Sequence, residues 1–397
     1  MRDEIALFGG RPLFDKPIKI VRPVFPDVST FIEPFREALA AGQVTNNCKW
    51  VQEFERVLTA KIGVPTIVFS NGQLALMAMI RAAGVESGEV IVPSFTFSAT
   101  PHAVKWCGAE PVFADIKDDG SFSLDPEDVE RKITPRTVAI MGVDPYGIAC
   151  DYKGLEAVGR RHGIRVVFDS APGFGTLVDG KLTGGYGDAQ IFSFHATKAF
   201  ATMEGGCLCT NDREIMERAK AIRNFGQVNG ADCNEPGMNA KMMEISALIG
   251  LEQLKNFDRI SAHRRRVVDM MSQGLSKLPG LRLGKAPSNQ EPIWLYLPVI
   301  VDEKLYGLNR DQICRALEAE GLEIRKYYSP ACHLMTTYKK ADRKPLPVSE
   351  ATAQNVIALP VFNDLTDQEC SNIITAFTEL HAAAPRIVKA EALQATH

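Results

Sequence analysis

The stretch PTIVFSNGQLALMAMIRAAG (65–84) decides how this chain folds. PTIVFS (65–70) is a short apolar run that reads as a buried strand. NGQLALMAMIRAAG (71–84) follows at once as a helix that stops at a glycine. The same alternation continues outward. EVIVPSF (89–95), EPVFADI (110–116), RTVAIMGV (136–143), IRVVFD (164–169) and AQIFSF (189–194) are further short apolar strands, and GLEAVGRRHG (154–163) is helical. Upstream, TNNCKWVQEFERVLTAKIG (45–63) opens with Thr45 and spaces Val51, Phe54, Val57, Leu58 and Ile62 like an amphipathic helix. Short apolar strands separated by helices predict an α/β fold, with a mostly parallel sheet covered by helices.

Beyond about residue 210 the pattern changes. ISALIGLEQLKNFDRISAHRRRVVDMMSQGLSKL (245–278) carries few breakers and predicts one long helix connecting two domains. After it come strand-like IWLYLPVIV (293–301), helical RDQICRALEAEG (310–321), a Pro-rich loop and a last helix in DQECSNIITAFTELHAA (367–383). The expected organisation is a large domain with an N-terminal arm over 1–258 and a smaller α+β domain over 259–397.

Composition narrows the function. The 397 residues include 45 Lys and Arg and 48 Asp and Glu, a net charge of −3, with 45% hydrophobic and 23% charged residues. That is a globular balance, too apolar for a disordered chain. A near-neutral chain has no electrostatic reason to hold nucleic acid or an anionic membrane. No apolar run approaches the roughly 18 residues of a bilayer span. The start, MRDEIALFGGRPLF, lacks the basic and apolar regions of a secretory signal, so a cytoplasmic protein is expected. The nine cysteines show neither a CxxC pair nor a zinc-site spacing, and read as core thiols. Cys207 and Cys209 alternate in an apparent strand and are expected on opposite faces of it.

In a parallel sheet, ligands gather at the carboxyl ends of the strands. After PTIVF comes Ser70-Asn71-Gly72-Gln73 and a helix start, whose free amides and dipole suit a phosphate; an ordinary helix cap is the alternative. After EVIVP come Phe95 and Phe97, a stacking wall for a flat ring or plain core. After IRVVF comes Asp169, a carboxylate that is costly there without a partner: a cation, a metal, a protonated ring nitrogen or a turn to cap. After AQIFSF come His195 and Lys198, and then Glu204-Gly205-Gly206 opens another apolar strand. A desolvated lysine has a lowered pKa and forms an imine with a carbonyl. Together, a phosphate cradle, an aromatic wall, a carboxylate and a buried amine are what pyridoxal 5′-phosphate requires. Lys198 would hold its aldehyde and Asp169 its ring nitrogen. The Gly72 and Gln73 amides with Ser193 would hold the phosphate, and Phe97 would stack on the ring.

These segments resemble the DegT-type nucleotide-sugar aminotransferases, a family of fold type I pyridoxal phosphate enzymes. The resemblance runs along most of the chain: VTNNCKWVQEFE (44–55), SNGQLAL (70–76), PSFTFSATPHAVKWCGAEPVFADI (93–116), FDSAPGFGT (168–176), GDAQIFSFHATKAFATMEGGCLCTND (187–212), RNFGQ (223–227) and GMNAKMMEISALIGLEQL (237–254). LPVSE (346–350) and IALPVFNDLT (357–366) extend it toward the end. SFHATK followed by EGG is its most specific part. The resemblance implies a homodimer with active sites at the subunit interface, and L-glutamate as donor to a nucleotide-linked keto-sugar. It implies Lys198 as imine lysine and proton shuttle, Asp169 as pyridinium partner, Ser193 as phosphate donor and Phe97 as stacking residue. Lys241 lies where relatives bring Asn or Arg from the neighbouring subunit toward the phosphate; a surface lysine is the alternative. The form of the lysine motif is similar to that of enzymes aminating C4 of 4-keto-6-deoxyhexoses, with a 3-keto sugar as runner-up. Nucleotide contacts are expected from the Thr45-Asn46-Asn47 loop and from Tyr327 and Tyr328.

Two departures stand out. Relatives commonly place His or Gln three residues after the aspartate, where this chain has Pro172. They often read H-x-Y-G where it has Asp144-Pro145-Tyr146-Gly147. Some members are sugar dehydratases with histidine in place of the imine lysine; the intact Lys198 favours transamination. Other classes fit less well. Gly175–Leu182 nearly spells a phosphate-binding loop but ends in Leu182, which has no hydroxyl for magnesium. No GxGxxG follows a strand. The run from Asp115 has Lys117 and Pro126 at calcium-ligand positions and reads as a turn. A non-catalytic pyridoxal phosphate regulator would need a DNA-binding module, for which the length leaves little room.

Overall fold

The computed structural model describes residues 4–230, 232–339 and 344–394. Its main sheet has seven strands: β1 (Thr66–Phe69), β2 (Glu89–Pro93), β3 (Glu110–Ala114), β4 (Thr137–Val143), β5 (Arg165–Asp169), β6 (Ala189–Ser193) and β7 (Gly206–Cys209). They lie in the order β1-β7-β6-β5-β4-β2-β3. β3, β2, β4, β5 and β6 run parallel, and β7 is antiparallel to both of its neighbours. Apart from the exposed or half-covered ends and middle of β3 and two positions in β4 and β5, these strands are buried residue after residue. A strand covered on both faces is apolar throughout, which is why the runs show no polar alternation.

The two faces separate by residue parity. Val90 and Val92, Ala139 and Met141, Val167, Ile191 and Leu208 join the core under the helix Gly72–Ala82. Ile91, Ile140, Val166 and Phe168 pack on the other side. Cys207 and Cys209 both pack with Val51, Phe54 and Leu58 of the helix Lys49–Ile62, while Leu208 faces away. The expectation of opposite faces is therefore corrected: residues two apart on a strand share a face.

The helix expected from Thr45 begins at Lys49, because Asn46 and Asn47 take left-handed conformations. Glu244, fully buried, holds its start: the carboxylate accepts from the amides of Cys48, Trp50 and Val51 at 2.9, 2.7 and 3.2 Å. The helix expected over 245–278 is two, Glu244–Leu254 and Phe257–Leu275, parted at Lys255 and Asn256. The first is buried nearly all round, whereas the second is amphipathic; both enter the core around Phe54, and the second continues into that of the second sheet.

A second, antiparallel sheet is built from β8 (Leu281–Leu283), β9 (Tyr296–Val301) and β10 (Val356–Pro360), in the order β8-β9-β10. The helices Arg310–Ala319 and Asp367–Gln394 pack on it, and Ile5, Phe14, Ile18 and Ile20 from the start of the chain join the same core. Ile293–Leu295, expected as strand, form the crossover into β9. The near phosphate-binding loop is a hairpin, Leu177–Val178 with Lys181–Leu182. No described helix is long and apolar enough to cross a membrane.

Candidate active site

β5 and β6 deliver the two chemically costly groups. Asp169 is the last residue of β5, paired with Val143 on β4 and Ile191 on β6. Its carboxylate is buried, and accepts from Thr100 Oγ1 at 2.7 Å and from the Ala171 amide at 3.2 Å. Burial pushes the carboxyl up, while these two donors and then Lys198 pull it back. Lys198 follows β6 in a turn closed by its own amide donating to the His195 carbonyl at 2.8 Å. The side chain keeps partial exposure, but its amine is desolvated: burial pushes it down to about 8, opposed by the nearby Asp169.

Arg264 fixes the far wall. Its guanidinium donates to the carbonyls of Ile293, Trp294 and Leu295, and to Asn363 Oδ1 at 2.7 Å. Asn363 Nδ2 in turn donates to the carbonyl of Ala199, next to Lys198, at 2.9 Å. Lys198, Arg264, Tyr296 and Asn363 share a closed cavity of about 20 Å³.

At the helix start expected to cradle a phosphate, the chain segments approach closely. Asn71 caps the helix Gly72–Ala82 by accepting from the Leu74 amide at 2.9 Å, leaving the first amides of the helix to an outside acceptor. A Cβ at Gly72 would lie 2.7 Å from Ser193 Cβ and 2.9 Å from its Oγ, and one at Gly206 would lie 2.8 Å from Gly72 Cα. Only glycine lets the helix start, Ser193 and β7 meet this closely. The Gln73 side chain is directed elsewhere, to the Ala99 carbonyl at 3.4 Å.

Of the two expected aromatics, Phe95 is core, packed against Phe122, Tyr146 and Tyr328. Phe97 is exposed and meets Tyr327 edge-on at 6.5 Å. Tyr328 stacks on Tyr146 at 5.6 Å, and Asp169 is among the groups that push its hydroxyl up. Lys241 is not brought to Lys198 within the chain. It donates to Asn224 Oδ1 at 2.9 Å, lies 4.5 Å over the Phe225 ring, and lines an open cavity of about 770 Å³ with Asn46, Asn47 and Arg223. The half-buried Thr45 sits in the same loop as those asparagines, its carbonyl accepting from Cys48 Sγ at 3.0 Å. The candidates thus form two groups in one chain. Thr100, Arg264 and Asn363 escape a reading of the sequence, because a hydroxyl within a helix and polar groups 99 residues apart carry no local signal.

The residues present fit pyridoxal 5′-phosphate: a desolvated amine beside a buried carboxylate, and a glycine-made cradle at a helix start. Among the described residues, no group of three or more His, Cys, Asp or Glu could hold a metal ion. A sheet of this order with this pair at its carboxyl edge defines a pyridoxal phosphate-dependent aminotransferase of fold type I. Residues 27–378 match the model of the DegT/DnrJ/EryC1/StrS aminotransferase family, and the chain belongs to that family. It is 31% identical over 375 residues to the dTDP-4-amino-4,6-dideoxy-D-glucose transaminase of Escherichia coli, covering 92% of this chain and 98% of that one. It is 36% identical over 351 residues to the GDP-perosamine synthase of Caulobacter vibrioides, covering 87% and 93%. The solved structure of DesI in the presence of its TDP-sugar product superposes with a TM-score of 0.91 at 36% identity, covering 98% of each chain.

Proposed function

We propose that this aminotransferase moves the amino group of L-glutamate to the C4 ketone of a nucleotide-linked 4-keto-6-deoxyhexose, with dTDP as the favoured nucleotide. The observation that carries the reading is the similarity over nearly the whole chain to the dTDP-4-amino-4,6-dideoxy-D-glucose transaminase and to DesI with its TDP-sugar product. A 3-keto sugar is the second reading, favoured by 32% identity over 308 residues to a UDP-N-acetyl-3-dehydro-α-D-glucosamine 3-aminotransferase. A cytoplasmic location fits a nucleotide-sugar substrate.

When bound, the cofactor supplies an aldehyde that carries the amino group and a ring that withdraws electrons. Lys198 is the group that holds that aldehyde. Freed from it, the amine would carry the proton between the substrate carbon and the C4′ carbon of the cofactor, a task suited to a base brought down to about 8. Asp169 holds the ring nitrogen protonated. The Gly72 and Gln73 amides and Ser193 bind the phosphate, and Phe97 covers the ring. Lys241 and the 45–47 loop, which line a different cavity from Lys198 in their own chain, serve the site of a second copy, which makes the enzyme a homodimer. The chain divides into working units near residue 258.

The test is the product. Purified protein with pyridoxal phosphate should absorb at roughly 410–430 nm, and L-glutamate alone should move the band to roughly 330 nm. Supplied with L-glutamate and a dTDP-4-keto-6-deoxyhexose, it should form the 4-amino sugar by mass spectrometry and NMR. Turnover of a 3-keto isomer instead would overturn the C4 assignment.

A further inference from the structure

Behind Asp169 lies a second buried carboxylate that the chemistry above does not use. Asp144 directly follows β4 and opens the turn Pro145–Gly147; it is fully buried, and its amide donates to the Asp169 carbonyl at 3.2 Å. Its carboxylate accepts from the Cys150 amide at 2.9 Å and from Tyr152 Oη at 2.5 Å. Gln190 Nε2 donates to that same Tyr152 oxygen at 2.9 Å and to Ser170 Oγ at 2.6 Å. Ser170, Tyr152 and Gln190 are as buried as Asp144. Burial pushes Asp144 up to about 6, with Ser170, Tyr152 and Cys150 pulling it back. Among the described residues, the groups acting on it are hydroxyls, an amide and the Cys150 thiol, with no cation.

A buried carboxyl without a counter-ion is an expensive way to fill a core, where apolar groups of the same volume do as well or better. Its placement explains it. Ser170 follows Asp169 directly, and the next amide, that of Ala171, is one of the two donors holding the Asp169 carboxylate. Whatever fixes Ser170 therefore fixes that donor. The Ser170 amide is tied to Ile191 at 3.0 Å and its carbonyl to Gly173 at 2.7 Å, while its side chain is held by Gln190, which also donates to the Tyr152 oxygen on Asp144. Pro172, two residues further on, has no side-chain donor to share the task.

We infer that Asp144 is a positioning residue for the reaction: through Tyr152, Gln190 and Ser170 it holds the Ala171 amide, and with it the Asp169 carboxylate, in line with the cofactor ring. The inference rests on the reading of Asp169 as partner of the ring nitrogen. Its test uses Ser170→Ala, Tyr152→Phe, Asp144→Asn and, as reference, Asp169→Asn. Two readouts besides activity are taken on each: the dissociation constant for pyridoxal phosphate, and the pH midpoint of the visible band of the bound cofactor. A misaligned Asp169 holds the ring proton less well, and the lysine-linked nitrogen then keeps its own proton to higher pH. The midpoint should rise by about half a unit or more in the three chain variants, and the dissociation constant by roughly fivefold. The KM for L-glutamate should stay within about twofold while kcat falls. If Asp169→Asn leaves the midpoint unmoved, the reading of Asp169 itself is wrong. If it moves the midpoint while Ser170→Ala and Tyr152→Phe only lower the melting temperature, the chain is structural and this inference is overturned. Ser170→Ala keeps the Asp144 carboxyl and its neighbours, so the test survives an Asp144 variant that does not fold.

Discussion

Thr100 Oγ1 donates to Asp169 Oδ2 at 2.7 Å, and Thr96 Oγ1 lies 3.0 Å from the same hydroxyl. The helix Ala99–Trp106 begins beside Phe97, so one short segment carries both the residue proposed to cover the ring and a hydroxyl that steadies the carboxylate. Thr100→Val keeps the shape and removes the donor. An ionised group that loses a buried donor loses about 1.5–3 kcal/mol of stabilisation, enough to lower turnover roughly tenfold or more. The sign on pH follows from the cause. Thr100 lowers the Asp169 pKa against burial, so its removal lets that pKa rise, and the ionised form is lost at higher pH. The acidic limb of kcat should move upward. Thr100→Ser should restore most of both effects; a Ser variant as impaired as Val would assign Thr100 to packing alone.

Lys198 gives a prediction on the cofactor-free protein. Its amine is pushed down from 10.5 to about 8 in the fold, so between those values the unfolded chain binds the extra proton. Stability therefore rises with pH across that window, and at neutral pH the buried amine costs the fold its full penalty. Lys198→Met removes the penalty. The apo variant should be more stable than the apo wild type at pH 7, by on the order of 1 kcal/mol or more, with the difference shrinking toward pH 10. Urea unfolding at the two pH values measures this. The same variant should show no visible cofactor band and no turnover.

Which parts of this were legible in the sequence follows from what each part depends on. The sheet strands were legible because burial on both faces makes them continuously apolar, and Asp169 and Lys198 because each breaks such a run at its carboxyl end. The antiparallel entry of β7 was not, since direction is set by the connection rather than by the residues of the strand. The interruption at Lys255 and Asn256 was hidden because neither residue is a helix breaker; the second helix leaves the core it shares with the first at Phe257 and Ile260 and runs on into the core of the second sheet. The Asp144–Tyr152–Gln190–Ser170 chain was out of reach for another reason. Its members come from four separate segments, and a buried hydroxyl or amide has the same letter as a solvated one.

Glu244 ties three starting amides of the helix Lys49–Ile62 to one carboxylate. The same connection holds the 45–47 loop against the cavity lined by Asn46, Asn47 and Lys241. Glu244→Gln keeps the volume but exchanges an ionic acceptor for a neutral group with one acceptor oxygen. Loss of about 1–3 kcal/mol is expected, or a fall in melting temperature of about 2–4 °C per kcal/mol. If the loop reads the nucleotide, KM for the sugar nucleotide should rise while the L-glutamate half-reaction keeps its rate. Equal damage to both half-reactions would mean the loop has no part in the nucleotide site.

Lys241 and Lys198 line different cavities of one chain, and this makes their assignment testable by complementation. The face around Lys241 exposes Phe225 and Val228, with Met243 close by in sequence, and apolar exposure of this kind needs a cover. If that cover is a second copy, each working site combines Lys198 of one chain with Lys241 of the other. Lys198→Ala should be inactive, and Lys241→Ala should bind pyridoxal phosphate and sugar nucleotide roughly tenfold more weakly, since it loses a charged donor to phosphate. Co-expression of the two variants should then regain activity. Random pairing makes half of the dimers hybrid, and each hybrid carries one site with both lysines and one with neither. About a quarter of the wild-type rate at limiting cofactor follows from that count. Mixing that restores nothing would mean that Lys241 acts within its own chain or not at all, and the shared-site dimer would have to be given up even if the protein still sediments as a dimer.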